Sequence, residues 1–257
     1  MPRPAEPPTT TISVVIPAKD DADLLERCLR ALAQQSRRAD EIIVVDNDSS
    51  DDTADRARRL GATVISEIRP GIPAASAAGY DHAAGDIIAR LDADCIPAVD
   101  WLRRIETAFS DEPDTVAVTN GARFIDGPRH LRALAATLYL GAYFGTVSAA
   151  LGHVPLFGSN FAMRRSGWEA VRLEVHRHDA MVHDDMDLSF HLGPERRIRL
   201  DRSVRMTMSY RPFTNARAFV LRVRRGFHSV VAHWPQELPW KRWIRRIRSA
   251  DSGTITP

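Results

Sequence analysis

The chain has 257 residues, of which 44% are hydrophobic and 26% are charged, and this composition is ordinary for a soluble globular protein. The length suits one large α/β domain or two small ones. Because the only cysteines are Cys28 and Cys95, the sequence contains neither a disulfide framework nor a Cys/His metal pattern, and an intracellular, reducing location is expected. Residues 1–10 are rich in Pro and Thr, which predicts a disordered lead-in rather than a signal peptide.

The net charge of +2 is unevenly distributed along the chain. Residues 1–128 carry 14 Lys and Arg against 23 Asp and Glu, whereas residues 129–257 carry 21 against 10. The first half is therefore acidic and the second half basic. This asymmetry indicates an anionic partner for the second half, either a membrane surface or nucleic acid.

Short apolar runs alternate with helical patterns through the first half of the chain. Strands are predicted at Ile12–Ile16, Glu41–Val45, Thr63–Ile65, Ile87–Leu91 and Val116–Thr119. Helices are predicted around residues 25–32 and over residues 53–60, 74–84 and 100–109. Strands that alternate with helices predict an α/β fold with a parallel sheet and right-handed crossovers.

Two carboxylates one residue apart, Asp92 and Asp94, follow the strand that ends at Leu91. Alternate residues of an extended chain point to the same side, and open α/β sheets bind ligands at the carboxyl ends of their strands. Paired carboxylates suit Mg²⁺ or Mn²⁺, so this stretch predicts a metal-diphosphate site. An isolated pair of this kind is also typical of a solvated turn with a helix cap at Asp94. Polar residues follow the strands ending at Ile16 and Val45 as well, and their convergence on one sheet edge favours the metal site.

Two later segments carry further signals. Ala133–Gly152 has no charged residue and is long enough to span a bilayer, but its many small and hydroxylated residues favour a buried or membrane-grazing helix over a true span. His183–Leu192 combines core-facing apolar residues with three acids at its start, which also suits simple helix capping.

Five blocks resemble, in their order and spacing, the family 2 inverting glycosyltransferases. The blocks are Val14–Asp20, Val44–Thr53, Gly85–Pro97 followed by Trp101 and Leu102, Gly158–Ala162, and Asp184–Leu188. The resemblance runs from about Ile12 to Leu192. It implies a GT-A fold, which is a Rossmann-like α/β domain with a mostly parallel central sheet and helices on both faces.

The resemblance also implies roles for individual residues. The base and ribose pocket would be lined by Pro17, Ala18, Asp20 and Asp46, with Asp46 hydrogen-bonding the base. The Mn²⁺ or Mg²⁺ ion that bridges the diphosphate would be bound by Asp92 and Asp94, with Asp94 the more direct ligand. The donor sugar and acceptor would be contacted by Ser159, Asn160 and Asp184, and the catalytic base would be Asp185.

The chain departs from the family pattern at two places. Where the family commonly has Ala-Arg-Asn-x-Gly, this chain has Ala75–Gly79 without the Arg and Asn, so Arg69 or Arg90 is expected to supply the missing donor contacts. The second Asp of the usual Val-Asp-Asp-Gly-Ser block is Asn47, which leaves the identity of the nucleotide open.

The implied activity is metal-dependent, inverting transfer of a sugar from a nucleotide-sugar, with a UDP-sugar favoured, to an acceptor hydroxyl of a glycan or lipid-linked substrate. Two alternatives stay open: a non-catalytic nucleotide-sugar-binding or scaffolding protein at the membrane, and a nucleotidyltransferase. Near the base, Asp187 is expected to fix the helix start. His183 is expected to be a polar neighbour, with a base or a metal ligand as the other options.

The predicted organisation is a lead-in over residues 1–10, one GT-A domain over 11–210 and a basic helical extension over 211–257. In the extension, Trp240 and Trp243 alternate with basic and apolar residues, which is typical of an interfacial helix on anionic lipid. A solvated basic helix packed on the domain by its Trp residues fits equally well. No nucleic-acid-binding module accompanies the charge, so no nucleic-acid partner is expected. The expected location is cytoplasmic, with peripheral attachment to the inner face of the plasma membrane.

Overall fold

The computed structural model describes residues 10–126, 130, 132–210 and 216–251. Of the predicted lead-in, only Thr10 lies within these ranges. Residues 211–215 and 252–257 of the predicted extension also lie outside them.

Strands and helices alternate through the described residues as the sequence predicts. The strands are β1 (Ile12–Ala18), β2 (Glu41–Asp46), β3 (Thr63–Ser66), β4 (Ile87–Arg90), β5 (Ile96–Pro97), β6 (Thr115–Thr119), β7 (Arg123–Phe124), β8 (Phe161–Arg164), β9 (Arg197–Leu200) and β10 (Met206–Met208). The helices are α1 (Ala22–Leu32), α2 (Thr53–Arg59), α3 (Ile72–His82), α4 (Trp101–Asp111), α5 (Arg132–Leu151), α6 (Arg165–Val171), α7 (Asp184–Leu192), α8 (Ala216–Ala232) and α9 (Pro239–Asp251).

The main sheet has seven strands in the order β3-β2-β1-β4-β8-β6-β9, and β5, β10 and β7 form a smaller sheet. Strands β1 to β4 pair in parallel, as do β6 and β9, whereas β8 runs antiparallel to both of its neighbours. The predicted α/β class with a mostly parallel central sheet is confirmed. Strand β8 was not among the predicted strands.

The antiparallel direction of β8 positions the site. Arg90 at the end of β4 is the register partner of Phe161 at the start of β8. The loop that precedes β8, residues 157–160, therefore lies beside Asp92 at the carboxyl edge of the parallel strands. Ligands of open α/β sheets bind at this edge.

The main sheet is buried on both faces. Along β1, Val14 and Ile16 belong to one apolar cluster, while Val15 between them belongs to a second cluster. This alternation follows from the two-residue period of a strand covered on both sides. On the second face α3 packs closely, because a Cβ at Gly79 would lie 2.4 Å from Cγ1 of Val15.

Helix α5 corresponds to the predicted charge-free segment. By length and composition alone it could cross a membrane, and most of its apolar stretch is not buried. Its buried residues are Ala136, Val147 and Leu151. The helix is therefore a half-exposed surface helix and not a core helix.

The extension is helical where it is described, and α9 packs on the domain. Arg242 is fully buried, and its Nε donates a 2.6 Å hydrogen bond to the carbonyl of Leu151. Nε1 of Trp243 donates to the carbonyl of Ala149 at 2.9 Å. Because Trp240 and Trp243 remain 59% and 44% exposed, a buried arginine contributes more to this packing than the tryptophans do.

Candidate active site

The candidate site begins where β4 ends. Asp92 follows β4, and its Oδ2 accepts a 2.6 Å hydrogen bond from Oγ of Ser159 in the loop before β8. Ser159 is buried, and Asp92 is about one-third exposed. The first carboxylate of the D-x-D pair is thus held against the loop that the sequence assigned to the donor sugar and acceptor.

A buried arginine joins the D-x-D pair to the last predicted block. Arg90 is 2% exposed, and its Nη2 lies 2.9 Å from Oδ1 of Asp92. Its Nη1 lies 3.4 Å from Oδ2 of Asp184 at the start of α7. A Cβ at Gly158 would lie 2.1 Å from Nη1, so glycine is needed there to admit the guanidinium. Acids that are 92 positions apart in the chain, Asp92 and Asp184, therefore share one cation.

Asp185 is fixed by two backbone donors and lies close to a tyrosine hydroxyl. The backbone N–H of Gly158 donates to Oδ2 at 2.7 Å, and the N–H of Met186 donates to Oδ1 at 2.8 Å. The hydroxyl of Tyr143 on α5 lies 3.2 Å from Oδ2, and it donates its proton to the carbonyl of Leu156 at 2.5 Å. Burial raises the pKa of Tyr143 well above its usual value, and the charge of Asp185 raises it further, so the tyrosine remains a donor. These contacts orient the carboxylate that the sequence predicts to be the base.

Asp184 lies in a different environment from its neighbour. Burial raises its pKa above the usual range and the charge of Asp185 adds to this effect, while Arg90 opposes it. Oγ of Ser76 donates a 2.8 Å hydrogen bond to Oδ2 of Asp184. Ser76 stands where the family pattern has the missing arginine, so here Arg90 supplies the positive charge beside this carboxylate.

The D-x-D segment offers suitable atoms for a hard divalent cation. Ligand atoms of Asp92, Asp94 and Cys95 lie within 4.8 Å of one another. Burial raises the pKa of the Cys95 thiol well above its usual value, so this sulfur stays protonated and is a poor ligand. Both oxygens of Asp92 are already engaged by Arg90 and Ser159. The carboxylates of Asp92 and Asp94 fit Mn²⁺ or Mg²⁺, because these ions prefer oxygen ligands.

The predicted nucleotide pocket lies at the ends of β1 and β2. Ala18 is the register partner of Asp46, and Pro17 precedes Ala18 on β1. Asp20 accepts hydrogen bonds from the N–H of Ser50 at 2.7 Å and from its hydroxyl at 3.0 Å, and these bonds lower its pKa. Asp20 thus helps to tie together the loops after the two strands, as does Lys19, whose Nζ donates to the carbonyls of Asn47 and Asp48.

Asn47 has a structural role that explains the departure from the family pattern. It is 5% exposed, and its Nδ2 donates 2.7 Å hydrogen bonds to the carbonyls of Glu67 and Arg69. An aspartate could not donate these bonds. Arg69 is about half exposed and pairs with Glu67 at 2.8 Å. Of the two arginines proposed to compensate, Arg90 is the one that the structure brings to the D-x-D pair.

Asn160 is completely buried, in contrast to the predicted place beneath the substrates. Its Oδ1 accepts a 2.9 Å hydrogen bond from Nε1 of Trp101, and its Nδ2 donates to the carbonyls of Gly121 and Val204. These bonds hold the loop, and Ser159 is the residue of the pair that contacts Asp92. We therefore expect Asn160 to support the site without touching substrate.

His183 and Asp187 contact the extension and its surroundings and not the D-x-D pair. Nε2 of His183 lies 2.9 Å from the carbonyl of Arg222 on α8, which agrees with the polar-neighbour interpretation. The carboxylate of Asp187 does not cap α7, because it accepts the N–H of His176 at 2.8 Å and faces three imidazoles.

A family model described as glycosyl transferase family 2 matches residues 13–171, which is more than half of the chain. The chain belongs to this family. This match confirms the family resemblance stated from the motif blocks. The first four blocks lie within the matched residues, and the fifth, Asp184–Leu188, lies beyond them.

Named relatives in family 2 include glycosyltransferase AglE of Haloferax volcanii, 35% identical over 101 residues, which are 36% of this chain and 33% of that protein. Another is the undecaprenyl-phosphate 4-deoxy-4-formamido-L-arabinose transferase of Klebsiella pneumoniae. It is 37% identical over 127 residues, which are 46% of this chain and 39% of that protein. The matches thus span roughly a third of these relatives' lengths.

Solved structures confirm the GT-A fold expected for a member of family 2. The mannosyltransferase PcManGT from Pyrobaculum calidifontis, in complex with GDP-Man and Mn²⁺, is 22% identical with a TM-score of 0.65, over 94% of this chain and 69% of that chain. Glucosyl-3-phosphoglycerate synthase from Mycobacterium tuberculosis, in complex with UDP, is 21% identical with a TM-score of 0.58. This match covers 87% of this chain and 79% of that chain.

Sequence reasoning missed two contacts of this family 2 site. Ser76 lies in an alanine-rich helix, and Tyr143 lies in a segment whose most visible property is the lack of charge. No local motif marks either residue. Their roles depend on how α3 and α5 pack against the start of α7, and that packing is visible only in three dimensions.

Proposed function

We propose that the protein is a metal-dependent inverting glycosyltransferase that moves a sugar from a nucleotide-sugar to an acceptor hydroxyl, with Asp185 as general base. The observation that carries the proposal is the position of Arg90 between Asp92 and Asp184. Through this contact the predicted metal-diphosphate segment and the predicted base segment adjoin one another.

The chemistry follows from the contacts of these residues. Asp185 takes the proton of the acceptor hydroxyl as that oxygen attacks the anomeric carbon, a contribution of about 10²–10⁴-fold for a general base. Gly158 and Met186 fix the carboxylate through their backbone N–H groups, so little reorientation is needed at that moment. A divalent ion on Asp94, with Asp92 beside it, would neutralise the charge that grows on the leaving diphosphate.

The donor is a nucleoside-diphosphate sugar, with a UDP-sugar as the first candidate. The two proteins of similar fold described above hold GDP-Man and UDP respectively, so the fold alone does not select the base. The donor panel therefore includes UDP-, GDP- and dTDP-sugars, each with and without Mn²⁺. A ligand that binds only the native state raises the melting temperature, which identifies the donor before any acceptor is known.

The products of turnover then distinguish a glycosyltransferase from a nucleotidyltransferase and from a non-catalytic binding protein. With the donor identified, we expect release of the nucleoside diphosphate, and we expect Asp94→Ala to lose the Mn²⁺-dependent part of the thermal shift. Asp114→Asn, at an exposed acid, is the matched control and should behave like the wild type. Release of pyrophosphate would instead indicate a nucleotidyltransferase. Donor binding without turnover, against polyprenyl phosphate and glycan acceptors, would indicate a non-catalytic binding protein.

The acceptor in this proposal is lipid-linked, and exposed apolar and basic residues on three helices support this choice. The exposed apolar residues are Leu134 and Leu138 on α5, Phe227 and Val231 on α8, and Trp240, Ile244 and Ile247 on α9. Basic residues accompany them on α9, among them the exposed Lys241 and Arg248. Exposed apolar residues next to basic ones suit the surface of an anionic membrane. The Klebsiella relative is named for an undecaprenyl-phosphate substrate, which supports the same class of acceptor.

Flotation with vesicles tests the membrane contact without removing α9, whose Arg242 is buried in the domain. The wild type should float with vesicles that contain phosphatidylglycerol and much less with phosphatidylcholine alone, since each basic residue near an anionic surface contributes about 1 kcal/mol. Trp240→Ser with Ile247→Ser, and separately Arg248→Glu, should reduce flotation. Leu173→Ser, at a residue 90% exposed outside these helices, is the control. Equal flotation of all variants would exclude these residues of α9 as the membrane contact.

A further inference from the structure

Three imidazoles converge on one carboxylate oxygen just beyond the candidate base. Oδ1 of Asp187 lies 2.6 Å from Nδ1 of His176, 3.1 Å from Nε2 of His233 and 3.4 Å from Nε2 of His191. Each residue offers one ligand atom, and these four atoms all lie within 4.8 Å of one another. None of the four residues takes part in the site described above.

The four residues come from three separate segments. Asp187 and His191 are four apart on α7 and therefore share one face of that helix. His176 lies in the connection before α7, and His233 directly follows α8. The cluster thus joins the helix that carries Asp184 and Asp185 to the C-terminal extension.

The hydrogen bonds of His233 favour a cation at the centre of the cluster. Its Nδ1 lies 2.6 Å from the carbonyl of Ser229, which only accepts, so Nδ1 carries the proton. In the neutral ring, Nε2 then bears a lone pair, and this lone pair faces Oδ1 of Asp187 and Nε2 of His191, the latter at 3.4 Å. The side chains of Asp187 and His233 are each 3% exposed, so water does little to relieve this repulsion. A proton would form a hydrogen bond between only one pair of these atoms, whereas a metal ion would be coordinated by all four.

The ligand types and spacings fit zinc. Imidazole nitrogens with a carboxylate oxygen are common zinc ligands, and ligand atoms about 2.0–2.1 Å from a tetrahedral zinc lie roughly 3.3 Å apart. Three of the spacings are 3.1, 3.4 and 3.4 Å. A further spacing, 2.6 Å between Oδ1 of Asp187 and Nδ1 of His176, must lengthen by several tenths of an ångström. His176 is the most exposed of the four and lies in a connecting segment, so its ring has room to move.

The other ring nitrogens of these histidines also have the contacts that are typical of metal-bound histidines. A histidine that binds a metal through one ring nitrogen donates the N–H of the other to a carbonyl or carboxylate. His233 uses the carbonyl of Ser229 in this way, and Nδ1 of His191 lies 3.4 Å from a carboxylate oxygen of Glu174. Oδ2 of Asp187 accepts the N–H of His176, which leaves Oδ1 for the ion.

We propose that His176, Asp187, His191 and His233 form a structural zinc site that fastens α8 to α7. Four protein ligands complete a tetrahedral ion and leave no open position, which suits a structural and not a hydrolytic role. The site is distinct from Asp92 and Asp94, and it does not depend on the proposed transferase activity. Because the ion would bind only the folded arrangement, its binding would stabilise the fold.

Metal content is the direct test. The full-length protein is stripped with a chelator, titrated with Zn²⁺ or Co²⁺ in excess Mg²⁺, and dialysed. We expect one zinc per chain, a higher melting temperature with zinc, and the intense visible absorption of tetrahedral Co²⁺. His191→Ala should lose all three, whereas His82→Ala, at an exposed histidine, and Asp94→Ala should keep them.

A second measurement needs no variant and therefore does not depend on the folding of His191→Ala. In the ¹⁵N-histidine NMR spectrum of the wild type, the ring signals of three of the nine histidines should shift on zinc addition. No retained zinc with no shifted ring signal would overturn the proposal and leave a protonated histidine cluster around Asp187. Zinc lost in Asp94→Ala and retained in His191→Ala would assign the ion to the D-x-D segment and would also overturn it.

Discussion

Gly158 donates its backbone N–H to Oδ2 of Asp185 at 2.7 Å, and the same glycine leaves the space that the guanidinium of Arg90 occupies. One residue therefore fixes the candidate base and admits the cation that joins Asp92 to Asp184. The arrangement of the candidate site depends on the absence of a side chain at this position.

Replacing Gly158 by alanine should therefore disturb both functions at once. The added Cβ would lie 2.1 Å from Nη1 of Arg90 and 3.1 Å from Oδ2 of Asp185. We expect a loss of about 1–3 kcal/mol in the free energy of unfolding, as for other overpacked interiors, together with a large loss of transfer. Chemical denaturation and a transfer assay measure the two effects. Gly141→Ala on the exposed side of α5, where a Cβ meets nothing within 4 Å, is the control and should gain about 0.5–1 kcal/mol. Wild-type stability and rate in Gly158→Ala would contradict this account.

Replacing Arg90 by methionine should be strongly destabilising. Its loss leaves Asp92 and Asp184 without their shared cation, and removal of one partner of a buried ion pair typically costs about 3–5 kcal/mol. The double variant Arg90→Met with Asp184→Asn should recover part of this loss because it also removes one of the two charges. Arg58→Met, at an arginine in an exposed ion pair, should change the unfolding free energy little. Similar denaturation midpoints for Arg90→Met and Arg58→Met would show that the ion pairs of Arg90 contribute little to the free energy of unfolding.

Asn47→Asp restores the residue of the family pattern and should nevertheless destabilise this chain. The carbonyls of Glu67 and Arg69 would lose their donor and face a carboxylate, at a cost of about 1–3 kcal/mol for each buried group left unpaired. Asp48→Asn, at the exposed neighbour, makes the reverse exchange of amide and carboxylate and should have little effect. Thermal unfolding of the two variants, measured in parallel, tests this prediction. An unchanged melting temperature for Asn47→Asp would refute the structural role of Asn47.

His153 lies beside α9, with its Nε2 3.1 Å from Nη2 of Arg242, so the attachment of α9 should weaken when this histidine is protonated in acid. Burial lowers the pKa of His153 from 6.5 to about 4, and the charges of Arg242 and Arg246 oppose protonation further. Between these two pH values the unfolded chain binds a proton that the folded chain does not, so stability present above pH 6.5 is lost as the pH falls towards 4. A pKa difference of this size corresponds to roughly 3 kcal/mol.

His153→Gln should remove much of this dependence, because glutamine does not titrate. Denaturation at pH 7 and at pH 4.5 should show a smaller loss of unfolding free energy for His153→Gln than for the wild type. His82→Gln, at an exposed histidine, should retain the wild-type loss. The same pH dependence in all three proteins would exclude His153 as its source.

The strands that the sequence predicted best were continuous apolar runs buried in the parallel part of the sheet. Glu41–Val45 and Ile87–Leu91 each lie within one residue of the observed β2 and β4. Strand β8 was missed because Phe161–Arg164 is short, ends in a basic residue and pairs antiparallel with strands that are distant in the chain. Its existence depends on the space between β4 and β6, which no local pattern records.

In the candidate site as well, residues in local motifs were predicted and contacts between distant segments were not. Asp92, Ser159 and Asp185 were predicted because they belong to motifs, and the structure brings their segments together through Arg90 and Gly158. The histidine cluster was not predicted, because His176 and His233 are 57 positions apart and meet only when α8 packs on α7. Contacts that depend on packing between distant segments lie beyond motif reasoning.

Transfer by Asp185→Asn tests the central claim most directly. Asparagine keeps the shape of the side chain but cannot act as a general base, so the transfer rate should fall by about 10²–10⁴-fold. The Mn²⁺-dependent binding of the donor, followed by thermal shift, should stay at the wild-type level, and Asp114→Asn should change neither quantity. Wild-type transfer by Asp185→Asn would show that another group takes the proton of the acceptor.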